Sequence, residues 1–171
     1  MLRLSLATLL GTSVMACTDA SPYMQISEAP GAIALERDPV RDWSTAGGLT
    51  SVVAPGSGAF PETVSLRVEG RRPDEGYETN DPLRSADVEL IAGSACRISN
   101  PLTCMGGICF VELELSGLGL CQVRATAVTH DGIAIGDCWY RGTWEGDPAD
   151  ASFVTRMQDA AEAAHASCLA G

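Results

Sequence analysis

Six cysteines, Cys96, Cys104, Cys109, Cys121, Cys138 and Cys168, crowd into the second half of this 171-residue chain, while a seventh, Cys17, stands alone near its start. An even set of that density in an exported chain predicts three disulfides, each worth about 2–4 kcal/mol. Six cysteines allow fifteen connectivities. The reading favours Cys138–Cys168 pinning the C-terminal segment, with the other four closing the 96–121 region. The "CMGGIC" stretch has no second close Cys or His pair, so no metal site is expected there.

Between the cysteines the hydrophobic period is two, the mark of half-buried strands. Val64, Leu66 and Val68 alternate with Ser65, Arg67 and Glu69. Ala86, Val88 and Leu90 alternate with Asp87 and Glu89. Cys109, Val111, Leu113 and Leu115 share one face, and after a Gly-Leu-Gly turn Cys121, Val123, Ala125 and Ala127 share another, which reads as a hairpin. A further strand carries Cys138. Leu49–Ala54 reads as a first edge strand closed by Pro55, and 71–82 as a long polar turn. With 18 Gly and 9 Pro for turns and only 5% aromatics, the core must be aliphatic and the fold mainly β, an antiparallel sandwich. The tail is different: Asp147-Pro148 signals a helix start, and Phe153, Met157, Ala160, Ala161, Ala164 and Cys168 recur at steps of three and four.

The first sixteen residues carry one positive charge, Arg3, then an apolar stretch too short to span a bilayer, then a small residue, as a secretory signal does. Val14-Met15-Ala16-Cys17 resembles the lipobox of bacterial lipoproteins. The resemblance implies cleavage before Cys17, lipidation of its thiol, and acyl chains sufficient for a stable membrane anchor. Thr18 follows where the inner-membrane retention signal would place Asp, so a cell-envelope and outer-membrane location is implied. The domain reading is then 1–16 signal peptide, 17–48 lipidated N-terminus and flexible tether, 49–146 β-sandwich, and 147–171 docked helix.

"VSLRV" followed by "PLRSADVEL", and then "GGICFVELELSGLGLCQVRATAV", resembles bacterial Ig-like domains of the invasin/intimin type over roughly residues 50–140. That likeness implies an Ig-like β-sandwich acting as a stalk or adhesive module. The cysteine density and the C-terminal helix depart from the family pattern.

Residues that could carry chemistry are few. His130 sits in a "THDG" turn and His165 beside the Ala-rich helix face, the latter read as exposed; neither belongs to a nucleophile motif, so no enzyme and no cofactor is expected. Asp74, Glu75, Glu78 and Asp81 could gather oxygen ligands for calcium but lack EF-hand spacing. Trp139, Tyr140 and Trp144 form the densest aromatic patch, either packed beneath the helix or exposed as a strip that stacks on sugars. A net charge of −11 opposes nucleic-acid binding. The expected role is therefore non-enzymatic binding or scaffolding of a protein or glycan partner from a membrane anchor on Cys17. A carbohydrate-binding module and a small disulfide-rich inhibitor are the alternatives.

Overall fold

The computed structural model describes residues 21–29, 40–45, 47–56, 60–74, 77–91 and 95–171. In chain order these form β1 (Tyr23–Glu28), β2 (Val40–Thr45), β3 (Gly48–Val53), β4 (Glu62–Asp74), β5 (Tyr77–Asp81), β6 (Leu83–Leu90), β7 (Cys96–Met105), β8 (Ile108–Leu115), β9 (Gly119–Thr129), β10 (Ala134–Glu145) and α1 (Ala151–Ala170). One sheet has the order β1-β4-β8-β7, with β5 also paired to β4; the other has the order β2-β3-β10-β9-β6.

An immunoglobulin-type sandwich places strands A-B-E-D in one sheet and G-F-C in the other. Here β1, β4, β8 and β7 fill the first set in that order, and β10, β9 and β6 the second. The mainly β, Ig-like sandwich with a C-terminal helix and disulfide staples is therefore present. One pair departs from antiparallel: β3 runs parallel to β10, from Gly48 opposite Tyr140 to Val53 opposite Glu145. The core fills with Val64, Leu66 and Val68 of β4, Val111, Leu113 and Leu115 of β8, Val123, Ala125 and Ala127 of β9, and Trp139 of β10.

Four local expectations need correction. The stretch read as a tether, 17–48, contains β1 and β2. Met24 and Ile26 of β1 are buried core residues, an alternation too short to stand out between Pro22 and Pro30. The strand at 48–53 is not an edge, because β2 and β10 flank it. The polar turn at 71–82 is instead a ribbon, with β4 continuing to Asp74 against β5. Exposed residues dominate β5, so no hydrophobic alternation betrays it. The hairpin read across Cys109–Ala127 is a crossover: β8 pairs with β4 and β7, whereas β9 pairs with β6 and β10. Both strands do bury the predicted faces, but from opposite sheets toward one core.

The disulfides are Cys96–Cys121, Cys104–Cys109 and Cys138–Cys168. The first ties β7 of one sheet to β9 of the other. The second closes the β7–β8 turn. The third fastens α1 to β10, as the spacing suggested. Helix α1 starts at Ala151, where the Asp150 carboxylate accepts from the Ser152 and Phe153 backbone N–H groups. Its buried residues are Val154, Ala161 and Cys168, seven apart, so the buried stripe is rotated from the one expected and Ala160 is exposed. An Ala-rich helix has little hydrophobic contrast between its faces, which leaves the exact stripe poorly marked in sequence.

The inner edge between β1 and β10 is polar. Asp137 accepts from Ile26 N–H at 3.3 Å and Cys138 N–H at 2.8 Å, which gives β1's outer edge a partner. Burial pushes the Asp137 carboxyl above the usual carboxylate range, partly offset by those two donors. A raised folded pKa means the group favours folding below its unfolded value, about 4, and loses that contribution as pH rises through the folded value. Asp137→Asn is therefore expected to flatten the stability–pH curve across that interval. Urea titrations from acid to neutral pH check it; a curve parallel to that of the native chain contradicts the assignment.

Candidate functional site

Strand directions bring three connections to one end of the sandwich: the β4–β5 ribbon with its exit at Pro82, the β7–β8 turn, and the β9–β10 turn at His130–Ile133. They lean on one another. Leu83 N–H donates to Gly107 C=O at 3.1 Å, and His130 N–H donates to Pro82 C=O at 3.1 Å. Arg72 donates to Asp81 at 2.8 Å and to Asp131 at 2.9 Å, joining the ribbon to the β9–β10 turn. Tyr23 at the start of β1 donates its hydroxyl to Glu78 of the ribbon at 2.6 Å.

The β7–β8 turn is two residues long, Gly106 and Gly107, with φ of +61° and +81°. Positive φ at both central positions is what a twisted hairpin of this length requires, and only glycine adopts it at low cost. A side chain at Gly107 would also approach Pro82 to 2.6 Å, so the turn is seated against the neighbouring connection. Met105 projects from it, 72% exposed, and Ile133 on the adjoining turn is 40% exposed. With Tyr23, three of the five exposed large hydrophobics among the described residues occupy this end; Leu118 lies at the other. The end is therefore a surface with apolar projections over an ion-paired base.

The residues singled out in the sequence distribute differently. Cys17 and the signal segment lie outside the described residues. Trp139 and Tyr140 are buried and point to opposite faces of β10, Trp139 into the core and Tyr140 toward α1. Trp144 is half-buried, its ring against Gly142, where a methyl group would collide with it. No exposed coplanar strip exists there, which corrects that possibility and removes the sugar-stacking reading that rested on it. His165 is half-buried, not exposed: its Nε2 lies 2.8 Å from Cys138 C=O and its ring packs on Tyr140, so it serves the helix contact. His130 is an exposed turn residue.

Within the supposed calcium loop, Asp81 engages Arg72 and Glu78 engages Tyr23, while residues 75–76 lie outside the described set. Among the described residues no group of three or more His, Cys, Asp or Glu side chains could hold a metal ion. A groove of about 300 Å³ beside the helix C-terminus contains Arg124 and Asp137, but Arg124 donates to Cys168 C=O and Asp137 serves the backbone. The outer face of the first sheet is a ladder of charge pairs, Arg67–Glu69–Arg71 and Arg97–Glu114. The loop end escaped the sequence reading because its contacts are long-range; its only local signals were the Gly-Gly and Asp-Gly turns. Comparison with known proteins finds no relative: no family model matches the chain, and no curated protein or solved structure resembles it significantly.

Proposed function

We propose that this chain is a membrane-anchored lipoprotein of the cell envelope whose Ig-like domain is a non-enzymatic binding or scaffolding module, held with its three-loop end toward the bilayer. The observation carrying the reading is where β1 begins. Tyr23 lies at the loop end, six residues after Cys17, and six residues reach at most about 20 Å. A lipid on Cys17 would keep that end near the headgroups and direct the opposite end, with Leu118, outward. Three buried or turn-closing disulfides suit an oxidising compartment. The partner, a protein or glycan, would then meet the far end or the faces of the sandwich.

Two measurements test this. Palmitate labelling of the exported chain is expected to vanish in Cys17→Ser; an unlabelled native chain removes the anchor. In vesicles containing bromolipid, the lipidated Met105→Trp variant is expected to be quenched severalfold more than Leu118→Trp. Equal quenching removes the orientation while leaving the anchor intact.

A second reading has its own support. The Cys104–Cys109 bridge closes a short loop presenting an exposed Met105, as a small disulfide-rich inhibitor presents a contact residue to its target. An unlabelled chain in which Met105→Asp abolishes inhibition of an envelope hydrolase would favour this alternative.

A further inference from the structure

We propose that the Cys104–Cys109 disulfide is a thiol-exchange site, at which an external thiolate forms a mixed disulfide with Cys104 while the rest of the domain stays folded. The inference does not depend on the lipid anchor.

The three bridges differ in access. Of the six bonded cysteines, Cys104 alone is exposed, and Cys96, Cys109, Cys121, Cys138 and Cys168 are buried. Exchange requires a thiolate to reach a sulfur in line with the S–S bond, so the exposed residue on the edge strand β7 offers the approach and the core shields the other cysteines. The bridges also differ in what opening releases. Cys96–Cys121 and Cys138–Cys168 close 25- and 30-residue separations, whereas Cys104–Cys109 closes only 5. By loop closure in the unfolded chain, opening the short bridge shifts the folding equilibrium about tenfold less than opening either long one, so the domain can stay folded around it. Its opening leaves the Gly106-Gly107 turn and the β4–β8 pairing in place, so little structure is lost.

The chemistry fixes which sulfur is modified. The incoming thiolate bonds to Cys104 Sγ, the Cys104–Cys109 bond breaks, and its electron pair leaves on Cys109 Sγ, which takes a proton. Cys109 then remains as a neutral buried thiol, a small hydrophobe suited to its core position. The adduct sits on the edge strand β7, on the face Cys104 shares with its register partner Cys109. The reductant is the incoming thiol itself, either a free small thiol or the cysteine of a thiol oxidoreductase.

Two probes distinguish these sources on the native full chain without denaturant: reduced glutathione, and a thioredoxin lacking its resolving cysteine. After acid quenching and alkylation, peptide mapping is expected to show the probe on Cys104 and the alkyl group on Cys109 before either other bridge opens. An adduct with glutathione, with thioredoxin or with both supports the site and names the source. Opening of Cys96–Cys121 or Cys138–Cys168 first, attachment to Cys109, or no adduct with either probe overturns it. The Cys104→Ala/Cys109→Ala variant is expected to keep its near-ultraviolet circular dichroism and take up neither probe under the same conditions. Uptake equal to that of the native chain also overturns the proposal.

Discussion

Replacing Cys96 and Cys121 together by alanine is expected to lower the folding free energy by about 3–4 kcal/mol, and replacing Cys104 and Cys109 by about 2 kcal/mol. The difference follows from what each bridge constrains in the unfolded chain. Cys96–Cys121 spans 25 residues and joins β7 of one sheet to β9 of the other; Cys104–Cys109 spans 5 within a hairpin already set by its turn. The inter-sheet bridge also sits in the core, so its loss removes packing as well as a constraint. For a domain whose total stability falls in the usual range of about 5–15 kcal/mol, that is a large fraction. Guanidinium titrations of the two double variants, without reductant, provide the check. Equal losses, or a larger loss for the hairpin pair, would show that the bridges act by native-state contacts and not by loop closure.

The same bridge shows how far the sequence could be read. Alternation located the buried faces of β4, β8 and β9, because a strand with one side in the core must repeat every second residue. It could not say which strands pair. Cys109–Leu115 and Cys121–Ala127 satisfy a hairpin and a sheet-to-sheet crossover equally, since both geometries point the same residues inward. Strand order decides it: in the immunoglobulin-type order E and F lie in different sheets, as β8 and β9 do here. β1 was illegible for another reason. It contributes only Met24 and Ile26 to the core, and two residues make no period. The loop end was least legible, because Arg72, Asp81 and Asp131 become neighbours only once the ribbon and the β9–β10 turn are folded together.

The position of β1 matters most for function, since it decides where an N-terminal anchor would enter, and one buried cation helps hold it. Arg141 of β10 is 8% exposed and bridges Glu28 of β1 and Glu62 of β4, at 3.2 Å each. Taking three charges from water is costly, and the cluster is tolerable only while the cation is shared. Arg141→Met is therefore expected to cost about 3 kcal/mol, near the low end for a broken buried pair because Glu28 keeps 30% exposure. Most of that cost would come from Glu62, which is 14% exposed and left with less compensation. Adding Glu62→Leu to Arg141→Met should therefore recover much of the loss, although it removes another native contact. Hydrogen exchange gives the local readout: β1 amides should exchange faster than β9 amides in the single variant, because Arg141 is, with Asp137, a link between β1 and the opposite sheet. Denaturant titration of the single and double variants decides the energetic point. If the double variant is less stable than Arg141→Met alone, the Glu62 carboxylate is not the source of the loss, and the arginine stem's packing is.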